Sequence, residues 1–126
     1  MAQKDLGKTS TGMQPNAAAL LSYVFGWITG LIFFLIEKDN KFVRFHAMQS
    51  IIVFGAVTVL SIVISIFFQI FMMIHLYAMF QFLSLLSGLV WLAALILWVI
   101  LMIKAYQGEM FKLPIVGDIA EKQVKA

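Results

Sequence analysis

The chain has 126 residues, 63% hydrophobic and only 12% charged, with a formal net charge of +3 and a mean hydropathy of +0.99. A soluble domain carries roughly 25% charged residues, so this composition excludes a chain that covers its own surface in water and points to an integral membrane protein. Cysteine is absent, which excludes disulfides, thiolate metal centres and haem attachment through sulfur.

Residues 1–16, "MAQKDLGKTSTGMQPN", are polar and lack the apolar stretch of a cleavable signal peptide. They read as a flexible tail, with Asn16 placed to cap the first helix. Ala17 to Ile36 then carries no charge. At about 1.5 Å per residue its length matches a hydrocarbon layer of roughly 30 Å, so it is expected to be a membrane span. Ser22, Gly26 and Gly30 recur at intervals of four, which predicts a close-packing face toward another helix of this chain or of a second protomer.

The stretch "EKDN" is a short turn, with Asn40 as the predicted cap of a second helix from near Lys41. Between Arg44 and Lys104 no Asp, Glu, Lys or Arg occurs over 59 residues, enough for two spans and a turn. Thr58, Ser61, Ser65 and Gln69 form a polar stripe predicted to face other helices. Residues 70–80 contain neither Gly nor Pro. They read either as an interfacial segment between helices of about 25 residues or as a tight turn near His75 between longer ones. The third helix places Gln81, Ser84, Gly88, Trp91 and Trp98 along one face, with Ser84 and Gly88 a second small-residue pair. Lys104 and Tyr106 fit the membrane interface and Gly108 a helix stop. The expected organisation is therefore a tail at 1–16, a three-helix transmembrane domain at 17–108 and an amphipathic tail at 109–126, bent at Pro114 and Gly117.

Three spans would put the N-terminus and second loop on one side, with two Lys, and the first loop and C-terminus on the other, with seven Lys or Arg. The positive-inside rule then places the N-terminus outside and the C-terminus in the cytoplasm, in a multi-pass protein of the cell membrane.

No HExxH, GxSxG, Walker loop or carboxylate pair occurs, and no carboxylate lies within a span to serve as a proton relay. His46 and His75 are expected at opposite interfaces, a bilayer apart. The expectation is a protein without enzymatic activity, metal or cofactor, whose partners are the lipid bilayer and either a second copy or another membrane protein, with no nucleic acid. Polar chemistry concentrates where the second helix begins, at Arg44, His46 and Gln49. Asp118 or Glu109 of the tail is expected to fold back to Arg44 or His46, with Asp118 on Arg44 the favoured pair, locking the tail to the cytoplasmic face; the alternative is an interfacial anchor at Arg44 with a capping histidine.

"FVRFHAMQS" at 42–50 and "AYQGEMFKLPIVGDIAE" at 105–121, on either side of a long apolar stretch, resemble a family of small prokaryotic membrane proteins of unknown function. That family is often grouped distantly with the channel-like inner-envelope component of the chloroplast protein-import machinery. The resemblance implies three membrane helices and a cytoplasmic face built from Arg44, His46, Gln49, Tyr106, Gly108, Pro114, Gly117 and Asp118. The import component has four helices where this chain supplies three, so conduction would require an oligomer. The expected role is a small scaffold or assembly subunit docking partners at its cytoplasmic face; the alternative is an oligomeric channel or protein-translocation component.

Overall fold

The structure, a computed structural model, describes residues 6–125. Among these the chain forms five helices and no strand: α1 (Pro15–Val24), α2 (Trp27–Ile36), α3 (Lys41–Met73), α4 (Tyr77–Tyr106) and α5 (Val116–Lys125). The helices α3 and α4, with 33 and 30 residues, are long and apolar enough to cross a membrane. At 1.5 Å per residue they run to about 50 and 45 Å.

A tight turn joins them. His75 adopts φ 60, and its N–H donates to Met72 O at 3.2 Å while Leu76 N–H donates to Phe71 O at 2.9 Å. This is the Schellman closure, with histidine in the left-handed position that glycine normally takes. The tight-turn alternative is therefore the one observed, between helices longer than the 25 residues of the interfacial alternative. The same closure ends α4 with the expected residue: Gly108 has φ 80, its N–H reaches Ala105 O at 3.1 Å, and Glu109 N–H reaches Lys104 O at 3.0 Å. Asn40 caps α3 as expected, its side chain accepting from Val43 N–H at 3.0 Å. Asn16 does not cap α1. The cap position is Gln14, ahead of Pro15, and Asn16 Nδ2 donates instead to Tyr106 O at 3.1 Å.

The continuous span expected at Ala17–Ile36 is not formed. Gly26, at φ 64 and ψ −134, breaks it into α1 and α2, each about 15 Å long and so half a hydrocarbon thickness. The two halves fold back as a hairpin. The first, α1, descends along α4 from the Asn16–Tyr106 contact to Trp98, whose Nε1 donates to Tyr23 O at 2.7 Å. From the tip, where Ser50 Oγ donates to Gly26 O at 2.8 Å, α2 returns along α3 to Arg44, whose Nη1 donates to Phe34 O at 2.9 Å.

The break leaves backbone groups outside any helical ladder, and side chains take up several of them. Besides Ser50 and Trp98, Thr29 Oγ1 accepts from Phe25 N–H at 3.1 Å and donates to Ser22 O at 3.2 Å. The two ends of the hairpin meet: Ser10 N–H donates to both Glu37 carboxylate oxygens at 3.0 and 2.8 Å, and Asn40 Nδ2 donates to Leu6 O at 2.8 Å and Lys8 O at 3.2 Å. Residues 6–14 are thus tied to the 37–40 turn rather than standing off as a loose tail. They share its end of the molecule, contrary to the alternating sides of the three-span arrangement. Residues 1–5 of the expected tail lie outside the described residues.

The core occupies the half of the molecule that the hairpin fills, with Ala18, Ala19, Tyr23, Phe42, Val43, Val53, Phe54, Leu101 and Ala105 buried together. The small residues divide accordingly. Ser22 and Gly30 are buried; a Cβ at Gly30 would meet Ala47 O at 2.9 Å and Ser50 Cβ at 3.0 Å, so glycine lets α2 close onto α3. Ser84 and Gly88 are exposed, and nothing lies within 4 Å of a Cβ at Gly88. The expected packing pair on α4 therefore faces away from the core, because the hairpin stops short of its depth. Thr58 and Ser61 are half-buried while Ser65 and Gln69 are exposed, so that stripe leaves the helix contact for the same reason.

Candidate functional site

Glycine in the left-handed position at 108 turns the chain out of α4, and residues 109–113 run back over the start of α3 as a strap. Two buried side chains one helical turn apart, His46 and Gln49, hold it. His46 Nε2 lies 2.8 Å from Glu109 O and Nδ1 lies 2.7 Å from Tyr23 Oη. A carbonyl only accepts, so Nε2 carries the proton and donates to Glu109 O, and the tyrosine hydroxyl donates to Nδ1. Gln49 Nε2 donates to Tyr23 Oη at 3.0 Å and to Phe111 O at 2.9 Å, and Oε1 accepts from Leu113 N–H at 3.1 Å. Each side chain thus joins the tip of α1, through Tyr23, to the strap. Edge-on contacts from Phe42 and Phe45, with ring centroids 4.7 and 5.2 Å away, fix the imidazole plane.

Arg44 takes no part in this network. Nη1 donates to Phe34 O at 2.9 Å and Glu37 O at 2.7 Å, and the guanidinium lies 4.0 Å from the centroid of the Phe34 ring. It closes the C-terminus of α2, where exposed carbonyls and the helix dipole favour a cation. The expected pairing of Arg44 with Asp118 or Glu109 does not occur. Glu109 pairs with Lys104 at 3.2 Å, and Asp118 sits exposed in the first turn of α5. The carbonyls of α2 are simply nearer in sequence, and the hairpin delivers them first.

The remaining expected residues shape the backbone of this end. Tyr106 is exposed and contributes its carbonyl to Asn16. Past the exposed Pro114, Gly117 N–H donates to Leu113 O at 2.8 Å. A Cβ at Gly117 would fall 2.5 Å from Lys112 Cβ and 2.7 Å from Lys112 Cα, so only glycine lets α5 begin so close to the strap. Lys112 bonds Glu121 at 2.7 Å, which holds its ammonium above the usual lysine range. Beside the strap, Glu37 is buried. Burial would push its carboxyl up, but the N–H groups of Ser10, Asn40 and Asp39 outweigh this and hold it below the usual carboxylate range.

Sequence reasoning missed Tyr23, Glu37 and Ser10, and it placed Trp98 on a helix face without its bond to Tyr23 O. Tyr23 lies inside an uncharged run that offers no local signal of its partners, and nothing local links Ser10 to Glu37, 27 positions away. Among the described residues no three of His, Cys, Asp and Glu gather where they could hold a metal ion.

The arrangement defines a helical membrane protein in which every described Lys and Arg lies at the end that carries the strap, the 37–40 turn and α5. The chain belongs to the magnetosome magnetite crystal formation protein family, whose model matches residues 9–120. A UPF0132 membrane protein of Methanocaldococcus jannaschii is 50% identical over 117 residues, covering 93% of this chain and 94% of the relative. One from Archaeoglobus fulgidus is 46% identical over 112 residues, covering 89% and 97%. A second from Methanocaldococcus jannaschii is 40% identical over 111 residues, covering 88% and 71%. No solved structure matches the chain. The expected membership of a small membrane-protein family of unknown function is thus met, while the distant kinship with the chloroplast import component gains no support from these matches.

Proposed function

We propose that the chain is a small scaffold subunit of the cell membrane that docks a partner on the surface made by its strap and α5. The observation that carries this reading is the double anchoring of the strap by His46 and Gln49. Two buried polar side chains are committed to fixing a short loop whose outward face then presents α5. The exposed face of α5 includes Asp118, Ile119, Lys122 and Gln123, a mixed surface suited to a protein rather than to bulk lipid. We further propose that α3 and α4 cross the membrane and that the α1–α2 hairpin enters and leaves by one face. Residues 6–14, α5, the 37–40 turn and all described cations then lie in the cytoplasm, as the positive-inside rule favours. The protein acts on no substrate in this reading. The family description refers to magnetite crystals, and our reading extends that only to a membrane subunit on which other components assemble.

A photo-crosslinking residue at Lys122 tests it in cells. A discrete protein adduct that disappears in Gln49→Leu, with the protein still present in the membrane, supports docking on a fixed α5. Adducts with lipid alone, or an adduct indifferent to Gln49, refute it.

A further inference from the structure

Beneath the tip of the α1–α2 hairpin, between α3 and α4, lies a cavity of about 300 Å³. It sits at the level of Phe54, ten residues or about 15 Å along α3 from Arg44, and so near mid-bilayer. Its lining is apolar except at Thr58, whose hydroxyl is spent on Phe54 O at 2.8 Å, and at Trp27, Trp91 and Trp98, which are all the tryptophans of the chain and border it together. Tryptophan ordinarily sits at the membrane interface, where its N–H meets water or headgroups. Three at one mid-membrane cavity anchor nothing to that interface.

Trp98 Nε1 is used within the fold, on Tyr23 O. The indole N–H groups of Trp27 and Trp91 have no hydrogen-bond partner among the described residues. Hydrocarbon supplies no acceptor, and leaving such donors unmet there is costly. Phenylalanine would fill the same space without that cost. The first turn of α2 faces the same problem, since Gly26 caps it with no side chain and its leading N–H groups have no intrahelical partner. Phe25, Trp91 and Leu95 are 72%, 55% and 53% exposed, so the cavity is open to its surroundings, which at this depth are lipid.

We propose that this cavity binds a hydrophobic molecule bearing an uncharged carbonyl, which enters sideways from the bilayer and accepts a hydrogen bond from Trp91 or Trp27. A carbonyl is the acceptor that a membrane-soluble molecule can carry without the expense of a buried charge. The aromatic walls suit a flat ring or a chain equally. Two membrane sources offer this chemistry, a quinone and a protonated fatty acid. The proposal rests on α3 and α4 lying in the membrane and not on the docking role of the strap.

Because every tryptophan borders the cavity, intrinsic fluorescence of the full chain in lipid nanodiscs reports on it directly. The probes are a short-tailed benzoquinone, a bromo-fatty acid below its titration point, and a bromoalkane of equal length. The expected result is saturable quenching by the quinone or the fatty acid, whichever is the source, while the bromoalkane quenches only in proportion to its membrane concentration. Trp91→Phe or Trp27→Phe should weaken the saturable binding by about three- to tenfold, the value of one hydrogen bond, without changing bromoalkane quenching. Ala94→Leu, which fills the cavity from α4, should abolish saturation; if it fails to fold, the two Trp→Phe variants decide. Quenching that never saturates with any probe overturns the proposal. So does saturable binding that both Trp→Phe variants leave unchanged.

Discussion

Replacing Gln49 with leucine tests whether the strap is held by hydrogen bonds or merely lies where α4 ends. The two side chains are close in size, so the core around Tyr23 keeps its volume while three bonds are lost, to Tyr23 Oη, Phe111 O and Leu113 N–H. If the strap stayed in place, Phe111 O and Leu113 N–H would be left unpaired beside a buried methyl group. Each such group costs about 1–3 kcal/mol, or roughly 2–6 kcal/mol for the pair. The strap has an escape, because it lies at the end of the molecule and its backbone can take water on lifting away. Lifting forfeits the His46–Glu109 bond and the packing of the half-buried Phe111 and Leu113, so only part of the penalty appears as opening. We expect the strap to open about ten- to a hundredfold more often, equivalent to about 1.4–2.8 kcal/mol. Native-state hydrogen exchange measures this at the amides of residues 109–117, with α3 and α4 as internal controls. Gln49→Glu should open it too, since a carboxylate retains the acceptor for Leu113 N–H but faces Phe111 O. Exchange at Leu113 within twofold of the unsubstituted chain would refute the anchoring. A rise shared equally with α3 and α4 would show that Gln49 supports the core and not the strap.

Other expectations are independent of the strap. Gly26→Ala should lower stability by about 1–3 kcal/mol in a thermal melt, because the backbone at this position is one that only glycine adopts readily and the added Cβ would lie 3.2 Å from Phe54 Cβ. His75→Gly should raise it by about 0.5–1 kcal/mol, relieving the left-handed histidine at some cost in unfolded-chain entropy. Cysteines at Thr9 and Lys122 should label from the same side of sealed vesicles; labelling from opposite sides would restore a third span. The folded Glu37 carboxyl is held low, so its contribution is full above the unfolded value of about 4.3 and is lost as pH falls through the folded one. Protection of the Ser10 amide, relative to its intrinsic exchange rate at each pH, should therefore fall in acid, and Glu37→Gln should lower it at neutral pH and flatten the dependence.

Legibility followed locality. Asn40 and Gly108 could be read because a cap and a Schellman stop are decided by a few neighbouring residues. The two long apolar helices were legible because a run of 59 residues without charge has few other homes. The turn at His75 was legible only as one of two alternatives, since it uses the glycine geometry without glycine. The polar entry of α3 was expected to hold the tail through acidic side chains on Arg44 or His46; His46 meets the backbone of the strap instead, and Arg44 turns to α2. Side-chain charge suggested Arg44 with Asp118, whereas the structure uses neutral His46 and Gln49 on backbone groups of the strap. Backbone acceptors leave no mark in a sequence, so partners of this kind cannot be inferred from residue types.

The misread span has a more specific cause. Twenty apolar residues satisfy a full crossing and a half-depth hairpin equally well, because both bury the same side chains in the same solvent. What separates them is the backbone at the break, and that depends on partners far along the chain. Gly26 permits the reversal, but glycine is common in membrane helices and its spacing from Ser22 and Gly30 suited a packing ridge as well. The deciding residues are Ser50 and Trp98, which take up Gly26 O and Tyr23 O, and Thr29, which serves both Phe25 N–H and Ser22 O. A charge argument was nonetheless present in the sequence. The three-span layout left Lys4 and Lys8 on the wrong side of a seven-to-two division. The hairpin returns residues 6–14 to the 37–40 turn, with Lys8 O bonded to Asn40, so Lys8 joins the other described cations at one end. The topology we propose has fewer exceptions to the positive-inside rule, and it requires only that the first apolar segment come back the way it entered.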